Sequence, residues 1–231
     1  MNYLVFGIYP YVSVAVCVVG CWYRYTHRPE SWKADSDLFI EQGKLKRIGL
    51  KLLHWGIFLL LAGHAVGLLT PHEVYEPFIS AAHKQMVAMF AGGIFGAMVF
   101  VGLSLLLYRR IFYLKIRRTS SLMDYVVLAS LLITVMTGLW TIYASLEHMD
   151  GSIMLALSSW AQHIVTFRPG AADFVTNVPL IYKAHIFFGL TTLFTLFPFG
   201  RLVHAISGFA AFAEYPFRPA QVVRTLRRKA R

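Results

Sequence analysis

Four histidines stand inside or at the ends of two long apolar runs: His54 and His64 in one, His185 and His204 in the other. A hydrocarbon slab disfavours ionisable side chains, so intramembrane histidines point to function. Neutral imidazole is also an axial ligand for haem iron. Two pairs, each with one member on either helix, would hold two b-type haems. A chain built this way would conduct electrons across a membrane.

Two other redox groups are excluded by the cysteines. The chain has only two cysteines, too few for a four-cysteine iron–sulfur cluster, and it has no C-x-x-C-H for covalent haem. Cys17 and Cys21 lie four apart and share one helical face, where they read as small buried hydrophobes.

The elements that must position the histidines are membrane helices. Mean hydropathy is +0.58, and across 231 residues 57% are apolar and only 14% charged. Long uncharged runs produce those values, which places the chain in the membrane class. No linker divides it, so residues 1–231 are expected to form a single all-α domain, a polytopic bundle. Five runs are long enough to span: 3–23, 52–69, 86–108, 125–146 and 184–213. The first lacks a basic leader and a cleavage site and reads as a retained helix. Pro198, Gly200 and Arg201 interrupt the fifth, which predicts a kink there. Between the last two runs, the apolar stretch 153–167 centred on Trp160 predicts a short helix lying on the membrane face.

Lys and Arg counting sets the orientation. The first connection carries Arg24, Arg28, Lys33, Lys44, Lys46, Arg47 and Lys51; the third carries Arg109, Arg110, Lys115, Arg117 and Arg118. The tail is also basic, whereas the second connection has only Lys84 and the fourth only Arg168 and Lys183. The alternation puts the N-terminus outside and the C-terminus in the cytoplasm. It also accounts for the net charge of +11 without nucleic-acid binding. In this topology His54 and His204 lie toward the cytoplasm, and His64 and His185 toward the outer face. The spacings do not match on straight helices: about 15 Å of rise between His54 and His64 against about 28 Å between His185 and His204. Tilt and the break at Pro198 must absorb the difference.

Gly56, Gly63, Gly67 and Gly189 lie near the ligands. They would serve either to clear space for a porphyrin or as ordinary helix packing. Lys84 stands at the outer mouth of the third span, one connection from His64. Its ammonium would either snorkel to the interface or hydrogen-bond a quinone oxygen and favour negative charge developing there. His27, His72, His83, His148 and His163 fall in connections or the surface segment and read as solvated.

The runs Leu53-His54-Trp55-Gly56-Ile57, Gly63-His64 and Leu69-Thr70-Pro71-His72 carry a family resemblance. So do Tyr9-Pro10-Tyr11, Met89-Phe90-Ala91-Gly92-Gly93, His148-Met149-Asp150-Gly151-Ser152, Trp160-Ala161-Gln162, Phe197-Pro198-Phe199 and Arg201-Leu202-Val203-His204. In order, and over nearly the whole chain, they resemble the gamma subunit of respiratory nitrate reductase, a diheme membrane cytochrome b. The resemblance implies that His54 and His204 hold the haem proximal to the cytoplasmic subunits, and that His64 and His185 hold the distal haem. It also implies that Lys84, beside Gly63 and His64, binds quinol. Some members carry a second lysine two positions later, where this chain has Met86, and the helix-five histidines stand one residue further apart here.

The resemblance therefore implies the cytochrome b subunit of a quinol:nitrate oxidoreductase in a bacterial or archaeal inner membrane. Quinol would be oxidised on the outer side, with protons released there. Electrons would cross two b haems to an iron–sulfur beta subunit, and nitrate would be reduced on a molybdenum-containing alpha subunit. A sister cytochrome serving a sulfite- or heterodisulfide-type reductase is the nearest alternative. A haem-free anchor or transporter is the alternative from another class.

Overall fold

The computed structural model describes residues 2–28 and 43–206, and within them every regular element is helical. A π turn, Tyr3–Ile8, leads into α1 (Tyr9–His27). There follow α2 (Lys44–Leu69), the short α3 (His72–Tyr75), α4 (Ala81–Phe112), the short α5 (Leu114–Arg118) and α6 (Leu122–Ser145). Then come α7 (Ser152–Val165), α8 (Ala171–Phe174) and α9 (Leu180–Leu190). Four of these stretches are long and apolar enough to cross a membrane: Tyr3–His27, α2, α4 and α6. Their outward faces carry large apolar side chains such as Phe58, Phe90 and Trp140, as lipid contact requires.

α2 starts eight residues before the expected span because Lys44, Lys46, Arg47 and Lys51 form its first turns rather than a loop. It ends at Thr70, held extended by the following Pro71. α6 opens with a capping box: the Ser121 hydroxyl accepts from the Asp124 amide, and the Asp124 carboxylate accepts from the Ser121 amide.

The fifth element departs most from expectation. It begins at Leu180, four residues early, and leaves α geometry after Leu190. It continues as a π turn, Thr191–Thr195, then two 3-10 turns, Phe197–Phe199 and Arg201–Val203. The apolar helix Leu180–Thr195 would run roughly 24 Å, short of a hydrocarbon core of roughly 30 Å. Pro198 supplies no amide and crowds the preceding turn, which ends the helix there. Residues 207–213 of the expected span, 29–42 of the first basic connection, and the basic tail lie outside the described residues.

Small residues set the tightest packing. A Cβ on Gly102 would lie 2.7 Å from the Leu53 amide nitrogen, and one on Gly56 would lie 2.6 Å from Val99 Cγ2, so α2 and α4 meet backbone to backbone. One core, around Val99, Leu103, Val127, Leu131 and Val135, joins α4 to α6. A second, around Phe6, Trp160, Val175, Val178 and Tyr182, lies under α7 and α8. The expected surface helix is therefore α7, and it caps one end of the bundle. Trp160 Nε1 donates to the Phe6 carbonyl at 2.9 Å, and Gln162 Nε2 donates to the carbonyls of Leu68 and Thr70, at the end of α2.

Two facing histidine pairs and a capped polar end

α2 packs on α4 and α7, while α9 packs on α6, and its π continuation on α1; α2 and α9 are not in close backbone packing. The four histidines face each other across the slot this leaves. The His54 and His204 ring centres are 6.0 Å apart, and so are those of His64 and His185. Both pairings expected from topology are thus present as juxtapositions. His64 and His185 lie toward the α7 end, and His54 and His204 toward the opposite, basic end.

Each Nδ1 is committed to a backbone carbonyl. His54 bonds Leu50 O at 2.8 Å, His64 bonds Leu60 O at 2.7 Å, His185 bonds Thr134 O at 3.0 Å, and His204 bonds Arg201 O. A carbonyl only accepts, so every Nδ1 carries the proton and every Nε2 presents a lone pair. Such second-nitrogen bonds fix the tautomer and orientation of metal-binding histidines. Metal–imidazole bonds of about 2.0 Å from both sides would set the ring centres roughly 6 Å apart. Among the described residues no group of three or more His, Cys, Asp or Glu is placed to hold a metal ion by itself. Two donors per site suit a metal whose other positions come from a macrocycle.

The glycines divide by role. Around a Cβ on Gly63 or Gly67 there is no atom within 4 Å, so both border open space beside His64. Gly56 is helix packing against Val99, and Gly189 makes only an ordinary contact with Thr134. The decisive glycine is one that sequence reading passed over: a Cβ on Gly138 would lie 2.8 Å from His185 Cε1. The imidazole rests on the bare backbone of α6, one turn past the Thr134 carbonyl it bonds.

The break before His204 is held from two sides. Arg24 Nη1 donates to the carbonyls of Pro198 at 2.7 Å and Gly200 at 2.6 Å, on either side of the break. A Cβ on Gly20 would strike Pro198 at 2.7 Å, so α1 lies directly against the break. Buried Asp124 binds Arg201 Nε at 2.8 Å and Arg110 Nη1 at 3.0 Å. In the sequence, Arg24 and Arg110 read only as topology signals and Arg201 only as an interruption of the fifth run.

At the α7 end, Lys84 begins α4 with its Nζ 3.6 Å above the centre of the Tyr75 ring. That Nζ is buried and has no hydrogen-bond partner, so no direct bond joins it to His64. His72, His148 and His163 are half-buried rather than solvated, while His27 and His83 are exposed. An apolar groove lined by Phe100, Met136, Leu139, Trp140 and Tyr143, between α4 and α6, contains none of these groups.

The family model described as "Nitrate reductase gamma subunit" matches residues 2–226. The chain belongs to this family. It is 41% identical to respiratory nitrate reductase 1 gamma chain of Escherichia coli (strain K12) over 224 residues, 97% of each chain. Respiratory nitrate reductase 2 gamma chain of the same organism is 39% identical, over 98% of each. The nitrate reductase gamma chain of Bacillus subtilis (strain 168) is 35% identical over 88% of this chain and 91% of that relative. The gamma-subunit relatives are chains of an oxidoreductase, and this member is a multi-pass membrane protein by its four apolar helices. In this gamma-subunit chain the two facing imidazole pairs lie between α2 and the segment that runs from α9 to His204.

Proposed function

We propose that this chain is the diheme cytochrome b subunit of a quinol:nitrate oxidoreductase. The supporting observation is the two imidazole pairs with ring centres 6.0 Å apart, each Nδ1 bonded to a carbonyl, which leaves the lone pair of each ring on Nε2. His54 and His204 would hold the proximal haem b, and His64 and His185 the distal one, with Gly63 leaving room beside His64. Bound there, the two haems would carry electrons singly from the outer to the inner face. Lys84 binds the quinol: its unpartnered ammonium donates to a quinol oxygen and favours the negative charge that develops as the hydroxyl proton leaves.

Leu180–Val203 completes a fifth crossing, its 3-10 turns extending the short helix to the far face. The N-terminus lies outside and the C-terminus in the cytoplasm of a bacterial or archaeal inner membrane. The basic end docks an iron–sulfur beta subunit, and nitrate is reduced on a molybdenum-containing alpha subunit. The names of the relatives favour nitrate over a sulfite- or heterodisulfide-type partner.

A dithionite-reduced absorption spectrum of the purified complex tests this reading. Two b-type haems per gamma chain are expected, and a colourless protein would refute it. Lys84→Ala should keep both haem bands and slow quinol oxidation by about 100-fold. Unchanged oxidation with intact haems would remove Lys84 from the quinol role.

A further inference from the structure

Burying a polar atom without a hydrogen bond costs about 1–3 kcal/mol, so a cluster of such atoms calls for a missing partner. Three lie together at the α7 end: His72 Nδ1, Tyr75 OH and Lys84 Nζ. Tyr75 is only 8% exposed and stacks under Lys84 Nζ, and the His72 ring meets the Tyr75 ring edge-on with centres 5.1 Å apart. His72 faces two ways. Its Nδ1 is sealed from solvent, whereas its Nε2 lies 3.4 Å from Oε2 of Glu76, whose side chain is 63% exposed. The short α3 thus places one imidazole between a dry polar cluster and water.

We propose that His72 is the proton acceptor of the quinol site, taking a hydroxyl proton at Nδ1 and releasing one from Nε2 through Glu76 to the outer surface. The proposal rests on the quinol reading of Lys84. Glu76 as a carboxylate only accepts, so neutral His72 beside it holds its proton on Nε2 and leaves Nδ1 basic. When the quinol O–H bond breaks, the proton joins Nδ1 and the electron passes to the b haem proposed at His64 and His185. The Nε2 proton then moves to the Glu76 carboxylate and on to water. Once the product leaves, exchange with water takes the proton from Nδ1 and returns one to Nε2, which restores the starting tautomer, and the second proton follows the same route. Tyr75 positions the substrate: its hydroxyl donates to the quinol oxygen that Lys84 also holds. Burial first, then the negative charges of Glu76 and Glu73, push the Tyr75 phenol up, which keeps it a donor.

The test uses the assembled complex in membrane vesicles with menadiol, a soluble naphthoquinol, as donor. His72→Gln should bind a quinone analogue with unchanged affinity by calorimetry, yet slow reduction of the haem bands by about 100-fold. Imidazole added to the medium should restore much of that rate, which a purely structural role would not allow. His83→Gln, an exposed neighbour, should behave as wild type. A wild-type rate in His72→Gln overturns the proposal, as does a loss that imidazole leaves unrepaired and that comes with weakened analogue binding. If wild type itself fails to oxidise menadiol and Lys84→Ala changes nothing, the quinol reading falls instead.

Discussion

Each of the four facing imidazoles uses one nitrogen to fix the other. The carbonyls of Leu50, Leu60, Thr134 and Arg201 hold the Nδ1 protons, so the lone pairs at Nε2 are set before any ligand arrives. His54 and His64 find their carbonyls one turn back on their own helix, a bond available to any helical histidine. His185 reaches across to α6, and so depends on the absence of a side chain at Gly138. Gly138→Val should therefore displace the His185 ring and remove the distal haem band while leaving the proximal one. Gly189→Ala, with its nearest neighbour 3.9 Å away, should change neither. Absorption spectra of the two variants check both statements. Gly63→Ala adds a Cβ with no protein atom within 4 Å, so a spectral or kinetic change in that variant would come from contact with a bound group. The four histidines, Gly63 and Gly189 stood out in the sequence, and Gly138 did not. Which glycine did which job was not legible there, because helical spacing does not reveal what lies opposite.

At the scale of elements, the fifth helix resolves the mismatch in histidine spacing. A straight helix would have carried His204 about 28 Å beyond His185, far past the depth of His54. The π turn at Thr191–Thr195, Pro198 and extended Gly200 interrupt that climb, and both pairs close to the same 6.0 Å. Polar contacts hold the irregular stretch in place: the Tyr9 hydroxyl bonds Thr191 and Thr195, and Thr192 meets Ser130 and Thr134. Asp124 clamps the far end through Arg201, whose carbonyl orients His204. Asp124→Ala would leave two cations facing a buried gap, a loss of about 3–5 kcal/mol. Thermal denaturation in detergent should show a lower midpoint, with the His54–His204 haem lost before the other. A unit unfolding with both haems lost together would separate Asp124 from His204. Pro198 announced the break in the sequence. Of the residues that hold it, Arg24 read only as a topology charge and Asp124 was not singled out, since Pro198 and Arg201, which they bind at the break, lie more than 70 positions away from them.

For the whole molecule, the electron transfer proposed between the two faces requires a defined orientation. Asn177, in the connection after α8, and Lys115, in α5, are both exposed and lie on opposite sides of the proposed bundle. With Cys17 and Cys21 replaced, a cysteine at 177 should react with an impermeant maleimide from outside intact cells, and one at 115 only after permeabilisation. The reverse pattern would invert the bundle and move the quinol end to the cytoplasm. The sequence by itself determined the membrane class, four of the spans, the capping helix and the pairing of histidines, because hydropathy, charge asymmetry and helical rise act locally along the chain. Only the tertiary structure decided how those pairs come level, what seats each ring, and that His72 and Tyr75 share a dry cluster with Lys84. Those outcomes depend on contacts between distant segments, where a missing Cβ, a broken turn or an unpartnered proton has no signature in local sequence.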